Sequence, residues 1–316
     1  MATGYYTHRD FHLHEMGDGH PECPQRLDAI NDRLISSGLA DVLERPDVPL
    51  ASPSDLELAH GRMYIASLHG LGARLAQEMQ AGGPTHMPID PDTCINSYTW
   101  QAALRAAGAA IAATNAVIAG ELDNAFCAVR PPGHHACRDK AMGFCFFNSV
   151  AIAAKHALDH HGLKRIAVVD FDVHHGNGTE DILSSDPRAL MVGIFQHPLY
   201  PFSGAASTAS NMLNMPVAAY TRGEAVREIF VHDLLPRLEA FKPEMIFISA
   251  GFDAHREDEL GQLGLVETDY EWITQQIYAT AQRHAKGRIV SCLEGGYALG
   301  ALARSVDVHL RVLAQV

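Results

Sequence analysis

Five short apolar runs constrain this chain more than any other feature: Ala125–Val129, Ile166–Val169, Leu190–Phe195, Met245–Ser249 and Arg288–Leu293. They are mostly β-branched or aromatic and are bounded by Gly, Pro or charge, which reads as strands buried on both faces of a parallel sheet. Between them, helical spacing predicts helices over Tyr98–Ile118, which is Ala-rich, Asn148–Asp159, Glu224–Leu238 and Tyr270–His284. Strand–helix alternation of this kind gives an α/β three-layer sandwich. The stretch to about Thr93 is less regular, with helices predicted at Pro24–Ser36 and Met63–Gln80 and loops expected over the edge or mouth of the sheet. No Pro-, Gly- or Ser-rich linker and no internal repeat divides the chain, so one domain over 1–316 is expected.

Composition removes some function classes. Lys plus Arg number 24 against 37 Asp plus Glu, a net charge of −13, and no basic run exceeds a pair, so no nucleic-acid partner is expected. The 47% hydrophobic and 19% charged content is that of a folded chain. Six cysteines without a CxxC pair read as reduced thiols of a cytoplasmic protein. The first residues lack an apolar signal core, and no apolar run is read as reaching the ~20 residues of a membrane span, so no membrane partner is expected. The 19 histidines raise the question of metal or proton chemistry without locating it.

Four of the five runs lead at once into polar sequence: Arg130 to His135, Asp170 to Gly178, Ala250 to His255, and Glu294 to Tyr297. In an open parallel sheet the carboxyl ends of the strands share one side, where ligands bind. Asp172 and His174 form the sharpest pair, because residues i and i+2 of an extended segment point the same way. With Asp253 from another strand end they make a candidate metal site with an open position. A single Asp–His pair at a strand end more often caps a helix; the recurrence of such residues at several strand ends favours the metal. His134 and His135 follow a Pro-Pro-Gly turn, and adjacent side chains are expected to diverge, which suits general base and acid better than shared ligation. Asp170 and Asn177 are candidate partners for their far nitrogens. Tyr297, after two glycines, is a candidate oxyanion donor, although a tyrosine at a tight turn is more often structural.

These motifs resemble the zinc-dependent histone deacetylases and their bacterial homologues, including acetylpolyamine amidohydrolases and the acetoin-utilisation type. The match extends from about Tyr5 to Leu313 through RPPGHHA (130–136), GFCFFN (143–148), VVDFDVHHGNGT (168–179), SAGFDAH (249–255) and LEGGY (293–297), in family order. The resemblance implies an arginase/deacetylase fold with about eight strands and one Zn²⁺ per chain held by Asp172, His174 and Asp253. It implies His135 as principal base and then acid, beside His134 supported by Asp170, with Tyr297 polarising the scissile carbonyl. Asn at 177 is typical of the class II branch and lowers the pKa expected of His135 relative to an Asp there. Gly143, Phe144 and Tyr200 resemble the walls of an acyl-lysine tunnel, Tyr200 standing where Phe is usual. Asp92 resembles an entrance residue that accepts a hydrogen bond from substrate, and Arg26 an arginine of an internal channel.

Departures qualify these implications. Gly193 and Phe195 replace the Ser and His usual near a monovalent-cation site, which weakens the expectation of K⁺. Leu260 stands where an acetylpolyamine-specialised branch carries Glu, although the neighbouring Glu259 keeps that reading open. Gly176 and His255 follow where arginases place further bridging carboxylates, so one metal rather than a manganese pair is expected; Fe²⁺ remains an alternative to Zn²⁺. The expected substrates are therefore acylated lysines of proteins or peptides, with acylated polyamines or other small amines as the alternative and oligomeric state left open. A non-catalytic binder of acylated ligands is disfavoured because the ligand set, the His pair and Tyr297 are all present.

Overall fold

A computed structural model describes all residues, Met1–Val316. Its strands in chain order are β1 (Thr3–Tyr6), β2 (Leu43–Glu44), β3 (His86–Asp90), β4 (Thr93–Asn96), β5 (Asn124–Cys127), β6 (Ile166–Asp170), β7 (Ala189–Gln196), β8 (Met212–Val217), β9 (Met245–Ala250) and β10 (Ile289–Leu293). Eight of them form one sheet in the order β2-β1-β5-β10-β9-β6-β7-β8, and every pairing in it is parallel. All five predicted runs are strands of this sheet, and β5, β6, β9 and β10 are buried at every residue, as strands covered on both faces must be.

Helices Gln25–Ser36, Glu267–His284 and Leu299–Ala314 pack together as one layer, and Thr99–Ala119, Ser149–Asp159 and Asn177–Leu183 as another. The register aligns the carboxyl ends of the central strands: Asp170 pairs with Ser249, and Leu293 with Ala250. The four polar motifs thereby emerge at one side of the sheet.

Three expectations are corrected. The irregular N-terminal stretch supplies β1, which lies inside the sheet between β2 and β5, and a separate antiparallel hairpin, β3–β4. The predicted helix Glu224–Leu238 is two helices, Gly223–Ile229 and Leu235–Phe241, joined by a π turn over Phe230–Leu234. Pro236 has no N–H to give and its ring crowds the carbonyl four residues back, so the ladder widens before it. The 21-residue helix Thr99–Ala119 is long and apolar enough to cross a membrane by length and composition, contrary to the sequence reading. In this fold its apolar surface meets protein: Ala103, Ala106, Ala107, Ala110 and Ala113 are buried, and their small side chains let helix Ser149–Asp159 and the sheet approach closely.

Candidate active site and metal centre

Asp170 ends β6, and the chain beyond it is folded by its own carboxylates. Asp170 Oδ1 accepts from the Asp172 N–H (3.1 Å), and Asp172 Oδ1 accepts from the His174 N–H (2.9 Å). Phe171 and Val173 point into the core between these polar residues, so Asp172 and His174 share the opposite side. Beyond β9, Asp253 Oδ1 accepts from the Val173 N–H at 2.9 Å, which ties the two loops together.

Asp172, His174 and Asp253 converge, with one donor atom from each within 4.8 Å of the others. His174 Nδ1 lies 3.0 Å from Asp172 Oδ1 and 3.2 Å from Asp253 Oδ2. Both carboxylates are buried, and no hydrogen-bond partner other than His174 Nδ1 reaches Asp253 Oδ2. A Cβ at Gly251 would overlap Asp172 and one at Gly295 would overlap Asp253, so the cradle admits only glycine. Two adjacent buried carboxylates require a cation. In its absence burial and Asp172 raise Asp253 to about 6, while the hydrogen bonds to both carboxylates outweigh burial and raise His174 to about 10. The proton on His174 thus occupies the ground a divalent ion would take, and one imidazole with two carboxylates is a donor set that suits such an ion.

The His pair lies over this cluster. His134 Nδ1 is 3.1 Å from Asp170 Oδ2, and His135 Nδ1 is 2.7 Å from Asn177 Oδ1. The rings do not diverge as expected; their centroids are 4.0 Å apart. Asp170 and Asn177 lie at the two ends of one segment and draw both imidazoles to the same side. Burial lowers His134, but Asp172 and Asp170 outweigh it and raise it to about 10. Burial, followed by the neighbouring His134 and His174, pushes His135 well below the usual histidine range. The two rings are therefore electrostatically unlike, with His134 cationic and His135 neutral.

A cavity of about 220 Å³ ends on His135, His174 and Tyr297 and is walled by Gly143, Phe144, Leu199, Tyr200, Leu260 and Asp92. All five residues assigned to the substrate thus line one space. Phe144 sits edge-on to Tyr297 at 5.9 Å, and Tyr200 edge-on to His135 at 5.3 Å. The Tyr200 hydroxyl is buried without a partner. Burial raises the Tyr297 phenol well above its ordinary value, so it is a neutral donor.

Several supporting residues had no assigned role in the sequence. Glu294 Oε2 accepts from the N–H groups of Gly133 (2.6 Å) and His134 (3.0 Å), fixing the turn that aims the His pair; burial raises it to about 7. Asp258 Oδ2 accepts from the Tyr297 N–H at 2.6 Å. Phe144 holds φ of 68°, and its N–H donates to Thr93 Oγ1 (3.0 Å), which in turn donates to Asp92 (2.8 Å). Glu22 is fully buried between Arg130, at 2.5 and 2.7 Å, and Arg26, at 3.1 Å; these guanidinium groups outweigh burial and hold it at about 2. Arg26 also donates to the Gly296 and Glu294 carbonyls and lies 4.9 Å over the Tyr297 ring. Glu294, Asp258 and Arg130 fell within recognised motifs or beside them; Thr93 and Glu22 carried no local signal.

Two histidines of the N-terminal stretch pack against protein beside the site. His14 is buried against Thr99 (2.9 Å) and Glu22 (3.6 Å), and His20 packs edge-on to Phe144 at 4.7 Å. His175 contacts Ser203 Oγ at 2.8 Å and Glu180 at 2.7 Å, and takes no part in the ligand cluster.

Comparison with known proteins agrees with the motifs. Residues 20–313 match the family model of the histone deacetylase domain. A histone deacetylase-like amidohydrolase of Pseudomonas aeruginosa is 37% identical over 286 residues, covering 88% of this chain and 73% of that protein. A polyamine deacetylase of Mus musculus, HDAC10, is 37% identical over 99% of this chain and 48% of its own length. The crystal structure of the HDA15 HD domain superposes with a TM-score of 0.91 at 30% identity, covering 99% of this chain and 88% of that one.

Proposed function

The chain belongs to the histone deacetylase family, and we propose that it is a zinc-dependent amidohydrolase, one catalytic domain over 1–316, that removes acyl groups from lysine side chains of proteins or peptides. Family membership makes it a hydrolase acting on amides; the substrate and the residue roles are our reading. The observation that carries it is the narrow cavity: apolar walls from Phe144, Leu199, Tyr200 and Leu260 lead to His135, His174 and Tyr297. Such a space takes a slim aliphatic chain with its amide at the far end.

A divalent ion held by Asp172, His174 and Asp253 would polarise the amide carbonyl and acidify a water molecule. The protein's own groups do the rest. With Nδ1–H committed to Asn177 Oδ1, His135 turns Nε2 toward the cavity as an acceptor, and its depressed pKa keeps that nitrogen free to take a proton from the attacking water. The same nitrogen returns the proton to the departing amine. The Tyr297 phenol donates to the developing oxyanion. His134 stays charged beside Asp170 and Asp172, and its positive charge favours negative charge gathering in the cavity.

A second reading, a small-molecule acylamine amidohydrolase, draws on the carboxylate of Asp92 in the cavity lining, which would attract a second amine. Leu260, an apolar side chain in the same lining, favours the first. Side-by-side kcat/KM on an acetyl-lysine peptide and on N-acetylputrescine decides between them. A hundredfold preference for the polyamine overturns our choice, and failure of metal-replete protein on both overturns the catalytic reading.

A further inference from the structure

Helix Ser149–Asp159 begins just after the GFCFFN motif and runs back to the opening of β6, so its C-terminus lies at the side of the sheet remote from the cavity. There His156 and His160 stand one helical turn apart, and His161 follows. Their rings gather around one another: His156 to His160 is 4.7 Å between centroids, and His156 to His161 is 5.2 Å. Asn115 Oδ1, on helix Thr99–Ala119, lies 2.8 Å from His156 Nε2 and 2.7 Å from His161 Nε2.

We propose that His156, His160 and His161 form a second metal site, for an imidazole-preferring divalent transition ion such as Zn²⁺ or Ni²⁺, with Asn115 orienting two of the rings. An amide oxygen only accepts, so both Nε2 atoms carry hydrogen and both Nδ1 atoms present lone pairs. A metal-binding histidine characteristically donates its other ring N–H to an oxygen in this way, which fixes the tautomer and the ring plane. His156 is 9% exposed, and its Nδ1 has no partner in the protein. An unsatisfied lone pair at that depth is a cost that a coordinated ion removes. Two imidazoles sharing a tetrahedral ion place their centroids about 5 Å apart, close to both observed separations. His160 is exposed and free to turn toward His156. The last carbonyls of the helix favour a cation at this end, and His161 and Asn115 line a cavity of about 720 Å³. Burial and the neighbouring histidines lower His156 to about 4, so it is neutral at physiological pH and needs no deprotonation to bind.

The test uses tag-free holoenzyme with its catalytic metal in place, titrated with Zn²⁺ and, in parallel, with Co²⁺, whose visible spectrum reports imidazole ligation. Wild type takes up a second equivalent. H160Q and H161Q, both surface substitutions that leave the fold intact, weaken that uptake at least tenfold, and their turnover of an acetyl-lysine peptide stays within twofold of wild type. The buried H156Q removes the second site entirely if it folds. The proposal is overturned if wild type binds no second equivalent at millimolar Zn²⁺, or if H160Q and H161Q both bind it as tightly as wild type.

Discussion

Asn177 Oδ1 lies 2.7 Å from His135 Nδ1, whereas the equivalent nitrogen of His134, 3.1 Å from Asp170, faces a carboxylate. One imidazole is braced by a neutral amide and the other by a charge. A carboxylate in place of Asn177 would stabilise the His135 imidazolium and raise its pKa. Asn177→Asp is therefore expected to move the acidic limb of the kcat/KM–pH profile to higher pH, by about 1 unit or more, because the base is then protonated over a wider range. An unmoved limb would remove His135 from the role of base.

Tyr297 contributes one neutral hydrogen-bond donor to the end of the cavity. Loss of an oxyanion donor of this kind costs about 10²–10³ in kcat, so Tyr297→Phe should lower kcat by that factor with KM changed only a few-fold. Steady-state kinetics on a peptide substrate checks the split, and an equal loss carried by KM would point to a packing role instead.

Metal-free protein holds a proton on His174 between Asp172 and Asp253. An ion must displace it, so metal binding to the apoprotein at pH 7 should release about one proton. Calorimetry in buffers of different ionisation enthalpy measures this directly. The raised pKa of Asp253, about 6 without metal, has a further consequence. A carboxyl raised above its unfolded value stabilises the fold when protonated and loses that contribution as pH rises through 6. The chelated protein should thus weaken between about pH 4 and 6 by more than chelated Asp253→Asn does in parallel urea titrations.

Buried neutral histidines set a limit on acid stability. Burial lowers His309 and His14 to about 3 and His60 to about 4. The unfolded chain takes up protons near pH 6.5 while the folded chain does not, so stability present above 6.5 is lost as pH falls toward these values. Each imidazole costs on the order of 1–2 kcal/mol between pH 6.5 and 5, at about 1.4 kcal/mol per pH unit. The urea midpoint of metal-loaded protein should fall over this interval; a flat profile would contradict the burial of these rings.

The sequence made the site legible because its chemistry is written in contiguous stretches after apolar strands. Asp172, His174, Asp253 and Tyr297 each sit beside a recognisable run, and the topology of a parallel sheet brings such stretches together. Glu22 was not legible: it is one carboxylate among 37 acidic side chains, and its partner Arg130 is 108 positions away. Thr93 matters only because Phe144 adopts a left-handed backbone, which no composition signals. The expected divergence of His134 and His135 failed because anchors outside the local chain decided their direction. β1 has only the residues TGYY, too short for a period to show, whereas the break near Pro236 could have been read from the proline itself.

The position of β10 bears on how the protein comes into being. This strand, near the C-terminus, lies between β5 and β9. While the chain is being made from its N-terminus, β5 and β9 must wait with their facing edges bare, the kind of edge that invites wrong partners. Gly295, whose N–H holds Asp172 at 2.8 Å, and Tyr297 follow directly after that strand. The site is consequently assembled only when this strand is in place: a chain already carrying both histidines and both carboxylates gains Gly295 and Tyr297 at the site once β10 enters the middle of the sheet.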